Sequence, residues 1–132
     1  MISETEKNKE IAIKFFGALS SGAETYLDFY NDESIIWTAG DNAIGGTRTK
    51  NEIIDFAQGI LAAFPNGIIF NITSITAENE RVAVEVQGEA IHASGEPYNN
   101  QYHFLLRIKN GKIVELKEYM DTQLAAKILL GE

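Results

Sequence analysis

The chain has no cysteine, which excludes disulfide bridges and thiolate metal sites. It has two prolines, two histidines and one tryptophan. Positive charge is scarce: 11 Lys and Arg stand against 19 Asp and Glu, for a net charge of −8. A phosphate backbone needs a basic patch and none is visible, so nucleic acid is not an expected partner. The same balance opposes binding to an anionic membrane surface. No apolar run approaches the ~20 residues that span a bilayer. The polar, acidic start MISETEKNKE lacks the apolar core of a secretory signal. The expectation is a cytoplasmic protein with no membrane partner.

What is present describes one folded unit. A chain of 132 residues, 45% hydrophobic and 23% charged, has a globular balance and fits a single domain over 1–132. Such a domain buries roughly two thirds of its unfolded surface. Ser3 and Glu6 have capping-box spacing and open a helix to Ser20, with Ile11, Phe15, Ala18 and Leu19 on one stripe. A short helix at Ala23 to Tyr30 follows, then a β-branched and aromatic strand, Ser34 to Thr38. Three glycines, an Asp and an Asn make Ala39 to Thr47 a loop. Thr49 with Glu52 caps a third helix, with Ile53, Ala57, Ile60, Leu61 and Phe64 as its apolar stripe and Pro65-Asn66-Gly67 as its stop. Strands are expected at Ile68–Thr76, Arg81–His92, Tyr98–Ile108 and Lys112–Met120, with a turn at Asn79 and a two-residue hairpin turn at Asn110-Gly111. A short helix begins after Asp121. Helices first and strands second give an α+β domain, helices on one face of an antiparallel sheet.

The period of two in the strands assigns their faces. Val82, Val84 and Val86 form one apolar row. Asn100, Tyr102, Phe104, Leu106 and Ile108 form a second, and Val114, Leu116, Glu118 and Met120 a third. The opposite face carries Glu85, Arg107, Glu115 and Lys117, able to pair across strands. The apolar face must meet the helices, and this points one carboxylate inward, Glu118. An unpaired buried carboxylate is costly, so it must be paired, protonated or wet, and a pocket supplies the last condition. Aromatic surroundings would also raise its pKa toward the range of a general acid or base. The alternative is a structural Glu bonded to backbone or to an Arg, and both readings stay open at this point. Strict alternation turns Asp121 outward, although a bulge at the strand end would turn it in.

The run GEPYNNQYHFLLRIKNGKIVELKEYMDT (Gly95 to Thr122), the Trp37 strand and the Gly45-Gly46 loop resemble the SnoaL-like and ketosteroid-isomerase-like branch of the nuclear transport factor 2 superfamily. The resemblance covers nearly the whole chain. It implies an NTF2-like cone-shaped barrel, a curved sheet wrapped on three N-terminal helices around a deep pocket, and a homodimer through the outer sheet face. Its members include isomerases, polyketide cyclases, epoxide hydrolases, dehydratases and binding domains, so chemistry does not follow from the fold. Lys117-Glu118-Tyr119-Met120-Asp121 is similar to the Arg-Asp-Tyr-Phe-Asp run of limonene-epoxide-hydrolase-like relatives, with Glu118 at the carboxylate position. The Arg and second Asp of those relatives have no counterpart in Val82 to Val86. Steroid isomerases set a carboxylate against a Tyr and a protonated acid. Tyr26, Tyr30 and Tyr102 offer phenols here, without a second inward acid.

The expected site therefore has Glu118 or Asp121 as the catalytic group, with Trp37, Tyr102 and Asn100 placing a small apolar ligand. Phe104, Tyr30, Phe64 and Met120 complete the wall. Trp37 is equally readable as core, given that its indole N–H needs a partner. His92 and His103 match no metal spacing, and both read as surface residues, so neither metal nor cofactor is expected. Gly45-Gly46 lacks the flanking strand and Lys-Ser/Thr of a phosphate loop. No Ser sits in a nucleophile elbow. Three functions stay open: an isomerase-, cyclase- or hydrolase-like enzyme, a non-catalytic binding module, and an interaction domain recruiting a protein through its outer face.

Overall fold

A computed structural model describes residues 2–132. Helix α1 spans Glu4–Ser21. The Ser3 hydroxyl accepts from the Glu6 amide at 3.2 Å, and Gly22 closes the helix in the left-handed region. The Glu6 carboxylate faces Lys9 at 3.8 Å rather than returning to the cap. The buried row of α1 is Asn8, Ala12, Phe15 and Phe16, with Ile11, Ala18 and Leu19 at its flanks. The stripe is thus rotated from the expected one. A polar residue, Asn8, enters it because its amide donates to the Asn79 carbonyl at 2.9 Å.

A 3-10 turn over Glu24–Phe29 replaces the expected second helix. Strand β1 is Tyr30–Thr38, and β2 is the short Gly46–Thr49. Helix α2, Lys50–Leu61, carries the full capping box between Thr49 and Glu52. Strands β3 (Ile69–Glu78), β4 (Arg81–Glu89), β5 (Gln101–Lys109) and β6 (Lys112–Met120) follow, and α3 is Thr122–Leu129. Asn110 and Gly111, with φ of 51° and 79°, form the tight hairpin turn that keeps the β5–β6 twist right-handed.

All six strands form one sheet in the order β2-β1-β6-β5-β4-β3. The meander β3 to β6 is antiparallel as expected. However, β1 lies beside β6 and runs parallel to it, with Thr38 opposite Glu118. The sheet is therefore mixed. The β2 strand also corrects the loop expected through Thr47, since Gly46 to Thr49 pairs with β1. Only Gly fits at position 45, where a Cβ would run into the Gly40 carbonyl oxygen.

The inner rows are Val82, Val84 and Val86, then Tyr102, Phe104, Leu106 and Ile108, all buried. On β6 a bulge between the Glu115 and Ile113 pairings leaves Val114 as the extra residue. Ile113, not Val114, is therefore the fully buried member of that row. Strand β4 stops at Glu89 and β5 starts at Gln101, both short of expectation, because Asn100 diverts the backbone there. Its Oδ1 accepts from the amides of Gln101 and Asp121. On the outer face Arg107 lies between Glu80 at 3.6 Å and Glu115 at 3.8 Å. These pairs are more than a third exposed and contribute little.

Leu106 is fully buried between α1 and the sheet. Leu106→Ala should cost about 2–5 kcal/mol of unfolding free energy in urea denaturation. A loss below about 1 kcal/mol would mean that this row is not the core.

Candidate functional site

One large cavity, about 440 Å³, opens inside the cone. The exposed residues of its wall are Gly22, Glu24, Gln58 and Ala62, so the mouth lies between the end of α1 and the C-terminal half of α2. Deeper, the wall is hydrocarbon and aromatic. Phe15, Leu19, Ile36, Ile53, Phe56, Ala57, Phe70 and Leu116 contribute carbon. Tyr26, Tyr30, Tyr98 and Tyr102 contribute phenols. Because α2 faces a cavity rather than solid core, Ile53 is the one buried residue within the helix, and Phe64 of the expected stripe is buried beyond its end.

Glu118 is the deep carboxylate of this wall; Glu24 stands at the rim. Part of the Glu118 surface is open, but it opens onto the cavity, and protein surrounds the group on its other sides. Burial raises its pKa to about 7. Two smaller effects oppose this rise. The Thr38 hydroxyl donates to Oε1 at 3.2 Å, and the Arg48 guanidinium adds positive charge nearby. Both forms of the carboxyl are therefore populated near neutral pH.

The phenols behave differently. Burial drives Tyr30 and Tyr102 well above their ordinary pKa, and Glu118 adds to the effect in each. Tyr98 is raised as well, mainly by burial. All three stay protonated at neutral pH and can donate to an oxygen in the cavity. The Tyr98 oxygen accepts from the Asn100 amide at 3.0 Å, which leaves its own proton free.

The structure brings Glu118, Tyr102, Phe104, Tyr30 and Met120 together around the cavity. The other expected residues lie elsewhere. Asn100 is fully buried behind the wall, where its amide holds Tyr98 and the Asp121 carbonyl. Asp121 caps α3, its carboxylate accepting from the Leu124 amide at 3.1 Å. Trp37 is on the outer face, edge-on to Tyr119 at 5.1 Å, because β1 pairs it with the outward Lys117. Phe64 is buried in a second cluster with Tyr98 and His92. His103 is exposed, as the alternation requires, and His92 is half-buried against Phe64.

Two residues of the site, Tyr98 in the wall and Arg48 beside it, were not named as such from sequence. For Tyr98 the signal was present: alternation back from Tyr102 through Asn100 puts it on the same row. Arg48 sits on β2 opposite Ile36, an inward residue, and so points toward the site. Its guanidinium donates to the carbonyls of Ile44 at 2.8 Å and Ala43 at 3.3 Å and lies 3.5 Å over the Phe56 ring. The alternation in Gly46-Thr-Arg-Thr49 is the only signal for it, and four residues are too few to read.

Comparison with known proteins agrees with this architecture. The chain belongs to the SnoaL-like domain family, whose model matches residues 12–116. PrhC from Penicillium brasilianum NBRC 6234 is 18% identical, covering 97% of this chain and 89% of its own, with a TM-score of 0.87. Bal32a, from a soil-derived mobile gene cassette, is also 18% identical, with 96% and 98% covered and a TM-score of 0.82. TerC, crystallised with polyporic acid, is 16% identical over 94% and 98%, with a TM-score of 0.82. At these identities the likeness is one of fold. No curated protein sequence matches the chain.

The raised Glu118 pKa makes stability depend on pH. The folded state holds this proton up to about 7, while the unfolded chain releases it near 4.5. Folding therefore binds a proton in that window, and the Glu118 contribution is present below 4.5 and lost as pH rises through 7. Glu118→Gln should remove this loss and gain up to about 3 kcal/mol at pH 8. Urea titrations at pH 5 and 8 check it. An identical pH dependence in the variant would contradict the burial of Glu118.

Proposed function

We propose that this protein is an enzyme that moves a proton on a small, largely apolar substrate, with Glu118 as the general acid or base. The observation that carries the reading is a carboxyl deep in a cavity of carbon and phenols, alone there among the described residues, whose burial raises its pKa to about 7. A group with such a pKa both accepts and returns a proton readily at neutral pH. The cavity suits a ligand of small-molecule size. Tyr98, Tyr102 and Tyr30 would donate to a substrate oxygen as charge gathers on it, in a site with little competing water. Isomerisation, cyclisation and hydrolysis can each use such a transfer, and these residues favour none of the three. PrhC, Bal32a and TerC share the fold and lend the reading no further chemistry.

Among the proposed residues, Glu118 reacts, while Tyr102, Phe104, Tyr30 and Met120 shape the wall. Asn100 acts from behind by orienting Tyr98, and Phe64 backs Tyr98 from the second cluster. Asp121, engaged as a helix cap, and Trp37, on the outer face, take no part in the transfer. A binding module without chemistry is the second reading. It is favoured by the absence of a second deep carboxylate in the cavity wall among the described residues.

Glu118→Gln should abolish turnover of any substrate found by screening apolar oxygenated compounds, while circular dichroism stays native. For the wild type, log(kcat/KM) should bend near pH 7. Full activity in the folded variant would refute the acid/base role, and unchanged ligand affinity with no turnover in either protein would favour the binding module.

The outer sheet face is proposed to seat a second copy of the chain. Ile35 and Tyr119 are large apolar groups exposed there beside Trp37, and Arg107, Lys117 and Glu115 offer both signs for self-complementary pairing. Sedimentation should give twice the chain mass, and Tyr119→Lys should give a monomer with native circular dichroism. A wild-type monomer at tens of micromolar would refute it.

A further inference from the structure

Arg48 is more elaborately held than a surface arginine needs to be. Three partners fix it: the carbonyls of Ile44 and Ala43 and the face of Phe56. None of these neutralises it, and among the described residues no carboxylate lies within ion-pair distance of it. Burial lowers its pKa, and the charges it faces are Glu118 and Glu52. Glu52, for its part, is engaged in the helix cap with Thr49. Around Glu118 stand Thr38 on β1, the phenols Tyr30, Tyr98 and Tyr102, and, among the described residues, one cation, Arg48.

The partners of Arg48 are also informative. Ile44 and Phe56 both line the cavity, and Ile44 is buried. The segment 40–45 that carries Ile44 is otherwise held by Asn42, whose Oδ1 accepts from the amides of Ile44 and Gly45, and by the Gly40–Gly45 approach. Arg48 thus holds a wall segment from a place on the inner face of the sheet, opposite Ile36 on β1, two residues along that strand from the Thr38 that pairs with Glu118. Moving Ile44 would also move the charge that acts on Glu118.

We propose that Arg48 is a positioning residue of this pocket, clamping the 40–45 wall segment and lending its unpaired charge to Glu118 so that the acid can ionise inside a carbon-lined cavity. The proposal rests on Glu118 being the reacting group. Without Arg48, Glu118 would keep its proton to higher pH and would be a poorer base at neutrality. A lysine at this position keeps the charge but loses the planar fork that spans two carbonyls. The two roles are therefore separable.

The test is a carboxyl 13C NMR titration of Glu118 in the full chain, as wild type and as Arg48→Lys, Arg48→Met and Arg48→Gln, each checked for folding by its amide spectrum. The wild-type midpoint should lie near 7, Arg48→Lys should stay close to it, and both neutral variants should shift upward. An unmoved or lowered midpoint in folded Arg48→Met or Arg48→Gln overturns the role of Arg48 alone. Failure of both neutral variants to fold makes Arg48 a structural clamp and also overturns it. A wild-type midpoint at the ordinary carboxyl value overturns the Glu118 reading, and this proposal with it.

Discussion

A single hydrogen bond, 3.2 Å from the Thr38 hydroxyl to the Glu118 carboxylate, marks the point on which the site depends. It exists because β1 enters the sheet parallel to β6 and sets Thr38 opposite Glu118. That pairing puts the N-terminal strands at one end of the sheet and the meander at the other. The helices close over the concavity between them. A carboxyl on the concave face disfavours dry contact with the helices, because sealing it in hydrocarbon costs its hydration and forces it to keep its proton. The cavity and the acid are thus physically linked. The cavity lets Glu118 ionise, and the surrounding carbon makes it reluctant to do so.

The rest of the site modulates this balance. Burial holds the proton on, while Thr38 and Arg48 pull the other way, and the outcome lies near neutrality. The phenols never compete for the charge, since burial keeps them protonated. They are donors only. In the proposed reading the site has one group to exchange protons and several to hold an oxygen in place. This division of labour explains why a small set of polar side chains suffices in a wall that is mostly carbon.

Much of this was legible in the sequence, for identifiable reasons. Period two in Val82-Val84-Val86 and in Tyr102 to Ile108 fixed the inner face, because a half-buried strand has no freedom to slip. The same count turned Glu118 inward. Thr49 with Glu52, and Asn110-Gly111, marked a helix start and a hairpin through local chemistry alone. What escaped depended on contacts distant in the chain. The parallel partnership of β1 with β6 leaves no local trace, so Trp37 remained equally readable as core or wall, and its outward direction emerged only with its pairing to Lys117. The β6 bulge changed the phase at Val114, and the rotation of α1 was set by Asn8 reaching Asn79. Arg48 lay in a segment too short to show a period, whereas Tyr98 shares the period of the Tyr102 row. Membership of the SnoaL-like family agrees with the fold and leaves the chemistry to the site.

The central claim is that Glu118 carries a proton that it gives up only near neutral pH. Infrared difference spectroscopy between pH 5 and pH 8 reads this directly, with Glu118→Gln as the control. A protonated-carboxyl carbonyl band should be present at pH 5, fade with a midpoint near 7 and be missing from the variant. A spectrum in which wild type and variant are the same, every carboxyl having ionised by pH 5, would contradict it.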